Sequence, residues 1–120
     1  MKKVLIAEDS AVLQNVIKRI LVGYDIKAVK NGEAVLKEIE ANSYDILLLD
    51  INMPKMNGID CTKAIRSLQD AQKAATPIVA ITGNAMNLSE SEFKEIGINE
   101  CLLKPIDFDA LVALVKKYVA

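Results

Sequence analysis

Five polar residues of this 120-residue chain have types and positions that could do chemistry together: Glu8, Asp9, Asp50, Thr82 and Lys104. They lie at the ends of four short apolar runs, "KVLIAED", "YDILLLD", "TPIVAIT" and "NECLLKP". Taken singly, each has an ordinary reading. Glu8 and Asp9 could be a solvated loop in which Asp9 caps a helix, Asp50 an acid before a turn, Thr82 a strand-end hydroxyl and Lys104 a surface lysine. Taken jointly they mean more, because none is needed for a core. Three clustered carboxylates repel one another and resist ionising together. A hard divalent cation resolves that conflict, and Mg²⁺ typically takes one or two carboxylates plus phosphate oxygens while keeping several waters. A lysine adds a point charge for a phosphoryl group, and a threonine hydroxyl can donate to its oxygens. Phosphoryl transfer is mostly positioning and charge neutralisation. A carboxylate can itself be the nucleophile and form an aspartyl phosphate.

Whether the five meet depends on the elements that carry them. "KVLIAED" reads as a strand buried on both faces, being short, apolar and without polar alternation. "SAVLQNVIKRIL" follows, with Val12, Leu13, Val16, Ile17, Ile20 and Leu21 spaced to make one helix face, Ser10 as N-cap and Gly23 as stop. "DIKAV" is a weaker second strand, and "NGEAVLKEIEA" a second helix. "YDILLLD" is the third and most apolar strand. "NGIDCTKAIRSLQ" is a third helix, with Ile59, Thr62, Ile65 and Leu68 along one side. "TPIVAIT" is strand four. The fourth helix is the poorest, with only Met86, Leu88, Phe93 and Ile96 as large apolar residues. Ser89 and Glu92 suggest a capping box there, and Gly97 its stop. "NECLLKP" holds strand five. "DFDALVALVKKYVA" is the last helix, capped by Asp107, with Phe108, Leu111, Val112, Val115 and Val119 inward.

Five strands alternating with five helices call for an α/β fold, a mainly parallel sheet with helices on both faces in three layers. Right-handed crossovers then put every strand's C-terminal end on one edge. Ligands of such sheets bind in the crevice beyond that edge. The five polar residues would gather there.

Bulk composition narrows the alternatives. The length suits one domain, and we expect residues 1–120 to form it with no output domain in this chain. A net charge of −1 indicates neither nucleic acid nor an anionic membrane as partner. No apolar run approaches the roughly 20 residues of a transmembrane helix. The opening "MKKVLIAEDS" is not a signal peptide, because Glu8 and Asp9 break its apolar stretch. A cytoplasmic location is expected. Cys61 and Cys101 sit in apolar segments and read as reduced core thiols. Histidine is absent, which excludes histidine metal sites, His-activated nucleophiles and a phosphohistidine carrier role.

Four motifs in order, "AEDS", "LLLDINMPKMNG", "AITGNA" and "LLKPID", resemble the receiver domain of two-component response regulators over the whole chain. That resemblance implies a flavodoxin-like doubly wound sheet of strand order 2-1-3-4-5. It implies that Asp50 is the phosphoacceptor and that Mg²⁺ is bound by Asp9, Asp50 and the backbone carbonyl of Asn52, with Glu8 helping through water. Thr82 and Lys104 would contact phosphoryl oxygens. The backbone of Asn52 and Gly83 would lie beside the phosphoryl group, Gly83 being small so that it can approach. Lys104-Pro105 would be a cis peptide, and Met53-Pro54 and Gly58 would form the turn after the acceptor. The implied donor is a phosphohistidine on a sensor histidine kinase or phosphotransfer protein. The implied output is a surface on helix four, strand five and helix five, read by a downstream protein.

One position departs from the pattern. Cys101 stands where the family places an aromatic switch residue, three before the lysine, and it is too small to act as a rotating ring. Asn52 and Asn84 occupy positions that tune phosphoryl lifetime in the family. Neither can act as a base toward water, so slow self-dephosphorylation is expected. Three other classes compete. A haloacid-dehalogenase-type phosphohydrolase needs an acid/base aspartate where this chain has Asn52. A receiver-shaped module that is never phosphorylated has no reason to keep all five residues. A flavodoxin needs a Ser/Thr-rich phosphate loop after strand one, and none is present.

Overall fold

The apolar runs form the strands β1 (Lys3–Ala7), β2 (Asp25–Val29), β3 (Ile46–Asp50), β4 (Ile78–Thr82) and β5 (Glu100–Leu103). The structure, a computed structural model, describes residues 1–53, 55–83 and 89–119, and of Glu90 only the backbone. Pro54, Asn84, Met86 and Leu88, used in the sequence reading, lie outside the described residues. All strand pairs are parallel, in the order β2-β1-β3-β4-β5 that the resemblance implied. The helices are α1 (Ala11–Ile20), α2 (Gly32–Ala41), α3 (Gly58–Arg66), α4 (Ala71–Ala74), α5 (Glu90–Ile96) and α6 (Phe108–Val119).

Alternation along the strands sends residues to two cores. Val4, Ile6, Ile46, Leu48, Val79 and Ile81 pack with Ile17 and Leu21 of the α1 segment and with Leu111, Val115 and Val119 of α6. Leu5, Ala7, Leu47, Leu49, Ile78 and Ala80 pack on the other face with Val35 and Ile39 of α2, Cys61 and Ile65 of α3, and Phe93 of α5. The result is the expected three layers. Ile46 to Leu49 are wholly buried, and burying each such side chain contributes about 2 kcal/mol. That density makes the end of β3 a rigid place to mount Asp50.

The expected caps form at Ser10, which accepts from Leu13 N at 3.2 Å, and at Asp107, which accepts from Asp109 N and Ala110 N. The structure adds a cap at Asn31, which accepts from Ala34 N at 2.9 Å. Ser89 and Glu92 make the reciprocal capping box. Gly97 ends α5 in the left-handed region at φ +115°, where a side chain would be strained. Lys104-Pro105 is cis.

Two expectations need correction. The chain has a sixth helix among its described residues, the single turn α4. It is started by Asp70, whose carboxylate accepts from Gln72 N and Lys73 N, a cap hidden in sequence by its lack of apolar periodicity. The inward face of α1 also differs from the expected one. Val12 is 75 % exposed, and Gln14 lies buried instead. With about 100° per residue, Val12 sits about 140° around the helix from Ile17, whereas Gln14 is three residues away and shares its side.

At the N-terminal edge of the sheet, Arg66 at the end of α3 ties together the segments around residues 74–76 and 97–99. Nε and Nη2 donate to Gly97 O at 3.0 and 2.6 Å, Nη1 to Ala74 O and Thr76 O at 2.6 and 2.8 Å, and Nη2 also to Asn99 Oδ1 at 3.0 Å. Asn99 Oδ1 in turn accepts from Ile78 N at 2.8 Å.

Candidate functional site

The parallel register explains how distant residues meet. In the β1–β3 ladder Ile6 is level with Leu48 and Ala7 with Leu49. The next step along that register sets Glu8 beside Asp50. In the β4–β5 ladder Thr82 is level with Leu103, and Lys104 N donates to Thr82 O at 2.7 Å. Lys104 therefore leaves the sheet just beyond Thr82. Its ammonium reaches Asp50 Oδ2 at 3.3 Å and Glu8 Oε1 at 3.2 Å. Carboxylate oxygens of Glu8, Asp9 and Asp50 lie within 4.8 Å of one another. Four of the five expected residues are thus joined by charge. Thr82, buried at the end of β4, sits on the same edge.

The loop after Asp50 is held on both sides. Asp50 Oδ1 accepts from Asn52 N at 3.0 Å, a side-chain-to-backbone turn that bends the chain at once. Gly58 N donates to Ile51 O at 2.9 Å. A Cβ on Gly58 would lie 2.7 Å from Ile51 Cα and 3.0 Å from Asp50 O. Only glycine allows the start of α3 to approach the end of β3 this closely. At Gly83, by contrast, a Cβ would make ordinary contacts of 3.8 and 3.9 Å with the Lys104 stem. Among the described residues the fold would accept a Cβ there.

The electrostatics are unbalanced. Glu8 and Asp50 are each about 2 % exposed, and three carboxylates face one ammonium. Burial first, and then the charge of Asp50, raises the Glu8 carboxyl above the ordinary carboxylate range. The hydrogen bond from Ser10 N, at 3.1 Å, and the nearby Lys104 ammonium only partly oppose this. Glu8 Oε1 is buried and, although close to Lys104, takes no aligned hydrogen bond. For Lys104, desolvation works against the charged form, but the pairing with Glu8 and Asp50 outweighs it and the net shift is upward. A buried carboxylate oxygen without an aligned hydrogen bond, among converging acids, fits a small divalent cation with oxygen ligands. Glu8, Asp9 and Asp50 are the side chains that could hold it.

Cys101 lies in β5, partly buried, level with Ala80 and packed against the core that contains Phe93. Periodicity could not have found two residues. Arg66 reads in sequence as a surface cation at a helix end, and Gln14 as an interruption in an apolar face.

The response regulator receiver domain family matches residues 4–116. The chain is 34 % identical over 110 residues to the sensor protein EvgS of Escherichia coli (strain K12), covering 90 % of this chain and 9 % of that protein. It is 33 % identical over 129 residues to hybrid signal transduction histidine kinase I of Dictyostelium discoideum, covering 98 % and 7 %. The chain therefore spans less than a tenth of the length of these relatives. Its backbone superimposes with a TM-score of 0.86, at 28 % identity, on the receiver domain of a sensor histidine kinase from Pseudomonas aeruginosa, covering 98 % and 97 % of the two chains. That structure was solved with a magnesium ion coordinated in the active site cleft. With its sheet order, its acidic edge and the family match over nearly all its residues, this chain belongs to the response regulator receiver domains of two-component signalling.

Proposed function

We propose that Asp50 is the residue phosphorylated in this receiver domain and that Mg²⁺ supports the transfer. The observation that carries the reading is the convergence of three carboxylates and one ammonium at the strand ends, with Glu8 Oε1 taking no aligned hydrogen bond. Asp9, Asp50 and the Asn52 carbonyl would hold the metal, with Glu8 acting through water. Bound there, the ion would neutralise the carboxylates and the phosphoryl oxygens.

The donor is a phosphohistidine on a sensor histidine kinase or phosphotransfer protein. An Asp50 carboxylate oxygen attacks phosphorus in line, the P–O bond forms as the donor's P–N bond breaks, and the electron pair stays on the imidazole nitrogen. Lys104 then turns its ammonium from the Asp50 and Glu8 oxygens to a phosphoryl oxygen. Thr82 supplies a hydroxyl to another, and the backbone of Asn52 and Gly83 borders the group. The chain is a signalling domain whose only chemistry is its own phosphorylation and a slow dephosphorylation. Asn52 offers no base to an attacking water. A phosphorylated lifetime of only seconds at neutral pH would overturn the slow-loss reading.

The output surface is α5, β5 and α6, the elements read in sequence as helix four, strand five and helix five, with a protein as its reader. Cys101 cannot serve as a rotating aromatic there, so the signal leaves by another residue or by α5 itself. Residues 1–120 act as one receiver unit in the cytoplasm. No described helix is long and apolar enough to cross a membrane.

The test is incubation with acetyl phosphate, with and without Mg²⁺, of the native chain and of Asp50→Asn. A Mg²⁺-dependent phosphoryl mass gain on the native chain alone is expected. No gain on the native chain would favour a receiver-shaped module that is never phosphorylated.

A further inference from the structure

We propose that Gln14 is a positioning residue for the acidic site, holding the β1–α1 turn in the shape that keeps Glu8 and Asp9 together. The inference rests on the metal-binding reading of that site. Gln14 is only 7 % exposed, on the side of α1 that carries Ile17. Its amide nitrogen donates to Glu8 O at 2.6 Å and to Val29 O at 3.1 Å. The oxygen could not occupy that place, because it would face two other oxygens, so the network sets the amide's orientation.

Those two carbonyls lie where the β1–β2 ladder runs out. The last aligned pair is Ala7 with Val29, and Glu8 N still donates to Val29 O at 3.0 Å. Beyond that bond β1 must turn into α1, and the Glu8 carbonyl has left the ladder. A buried carbonyl without a donor is costly, and the Gln14 amide supplies it. The same amide ties the turn to the end of β2. Both acids project from this short clamped segment. Their repulsion, and that of Asp50, would otherwise spread the turn and carry the ligand oxygens apart. The side chain's requirements are narrow. Two N–H groups on a neutral head are needed, methionine has the length but no donor, and asparagine is one methylene short.

The experiment compares the native chain, Gln14→Met and a control, Ile39→Val, which trims the core on the opposite face of the sheet. Mg²⁺ affinity is measured by calorimetry, amide hydrogen exchange at Glu8 and Ser10 by NMR, and stability by urea unfolding. Gln14→Met is expected to weaken Mg²⁺ binding about tenfold, the lower end for residues that orient metal ligands. It should also speed exchange at the Glu8 and Ser10 amides in metal-free protein. Ile39→Val should lose stability with Mg²⁺ affinity within twofold of native. If Gln14→Met fails to fold, Gln14→Asn, which keeps the donors on a shorter arm, takes its place with the same expectations. The proposal is overturned if the folded Gln14 variant binds Mg²⁺ as the native chain does. It is equally overturned if Ile39→Val weakens binding as much. A native chain that binds Mg²⁺ yet gains no phosphoryl group refutes the phosphoacceptor reading and leaves Gln14 to be judged by affinity. A native chain that binds no Mg²⁺ refutes the metal reading. Unaltered exchange at Glu8 and Ser10 in Gln14→Met then overturns the positioning role, and faster exchange upholds it.

Discussion

The two edges of the sheet are built from the same materials and reach opposite ends. At the N-terminal edge one guanidinium meets carbonyl and amide oxygens of four residues from two segments, and all five of its N–H groups are used. At the C-terminal edge three carboxylates meet one ammonium, and a buried Glu8 oxygen is left without an aligned donor. The first arrangement is closed. It has nothing left to offer a ligand, although a cavity of about 820 Å³ opens beside it, lined by Arg66, Leu68, Lys94 and Asn99 among others. The second has a deficit of positive charge, and it is this unsatisfied charge that marks it as the candidate site.

That contrast can be broken by substitution. The largest effect is expected at the closed edge. Arg66→Met leaves several partly buried carbonyls without donors and should cost about 3 kcal/mol of stability, read from the urea midpoint, while Mg²⁺ affinity stays within about twofold. Arg66→Lys should recover little, because an ammonium cannot fork between Gly97, Ala74 and Thr76. A large loss of Mg²⁺ affinity in Arg66→Met would show that the edges are coupled. At the open edge the sign reverses. Asp50→Asn removes one of three repelling charges, keeps an acceptor for Asn52 N, and should raise stability by about 1 kcal/mol while abolishing phosphorylation. A destabilised Asp50→Asn would mean that the Lys104 pair outweighs the repulsion.

Lys104→Ala is a finer probe. Without its positive charge 3.3 Å from Asp50, Mg²⁺ should bind about three- to fivefold more tightly by calorimetry. The conformational response of α5, β5 and α6 to beryllofluoride, followed by NMR, should be lost. Weaker Mg²⁺ binding would assign the ammonium to metal support instead.

The smallest effects are in pH. The folded chain holds the Glu8 proton more tightly than the unfolded chain does. As pH falls from neutral through the raised Glu8 pKa, this residue's contribution to stability therefore increases, and it levels off below the ordinary carboxylate range. Glu100 does the reverse. Hydrogen bonds from Tyr118 at 2.6 Å and Lys117 at 3.1 Å lower its pKa, so its contribution is present above the ordinary range and is lost as pH falls through the lowered value. In Mg²⁺-free urea titrations, Glu8→Gln should flatten the first trend and Tyr118→Phe the second. A native profile identical to that of Glu8→Gln would remove the claim that the open edge is electrostatically frustrated.

Much of this was legible in the sequence. The run Ile46–Leu49 had no polar alternation and could only be a strand covered on both faces. Ser10, Ser89 and Asp107 are side chains whose oxygens can satisfy the free N–H groups of a helix's first turn. Glu8, Asp9, Asp50, Thr82 and Lys104 stood out because polar residues at the ends of buried strands serve no core. These are short-range facts, set by residue type and by periods of two and 3.6. The rest needed the fold. Parallel register brings Glu8 level with Asp50 and sets Lys104 across both, and pairing between strands leaves no mark on local spacing. Gln14 looked like a gap in an apolar stripe, yet it is a buried donor, because the ladder ends at Val29 and leaves a carbonyl to satisfy. Arg66 looked like a solvated helix end, but two segments distant from each other in sequence converge on it. Sequence determines what each segment can become and which side chains could react. Tertiary structure decides which of them share a charge, because that balance depends on distances between strands that no single segment contains.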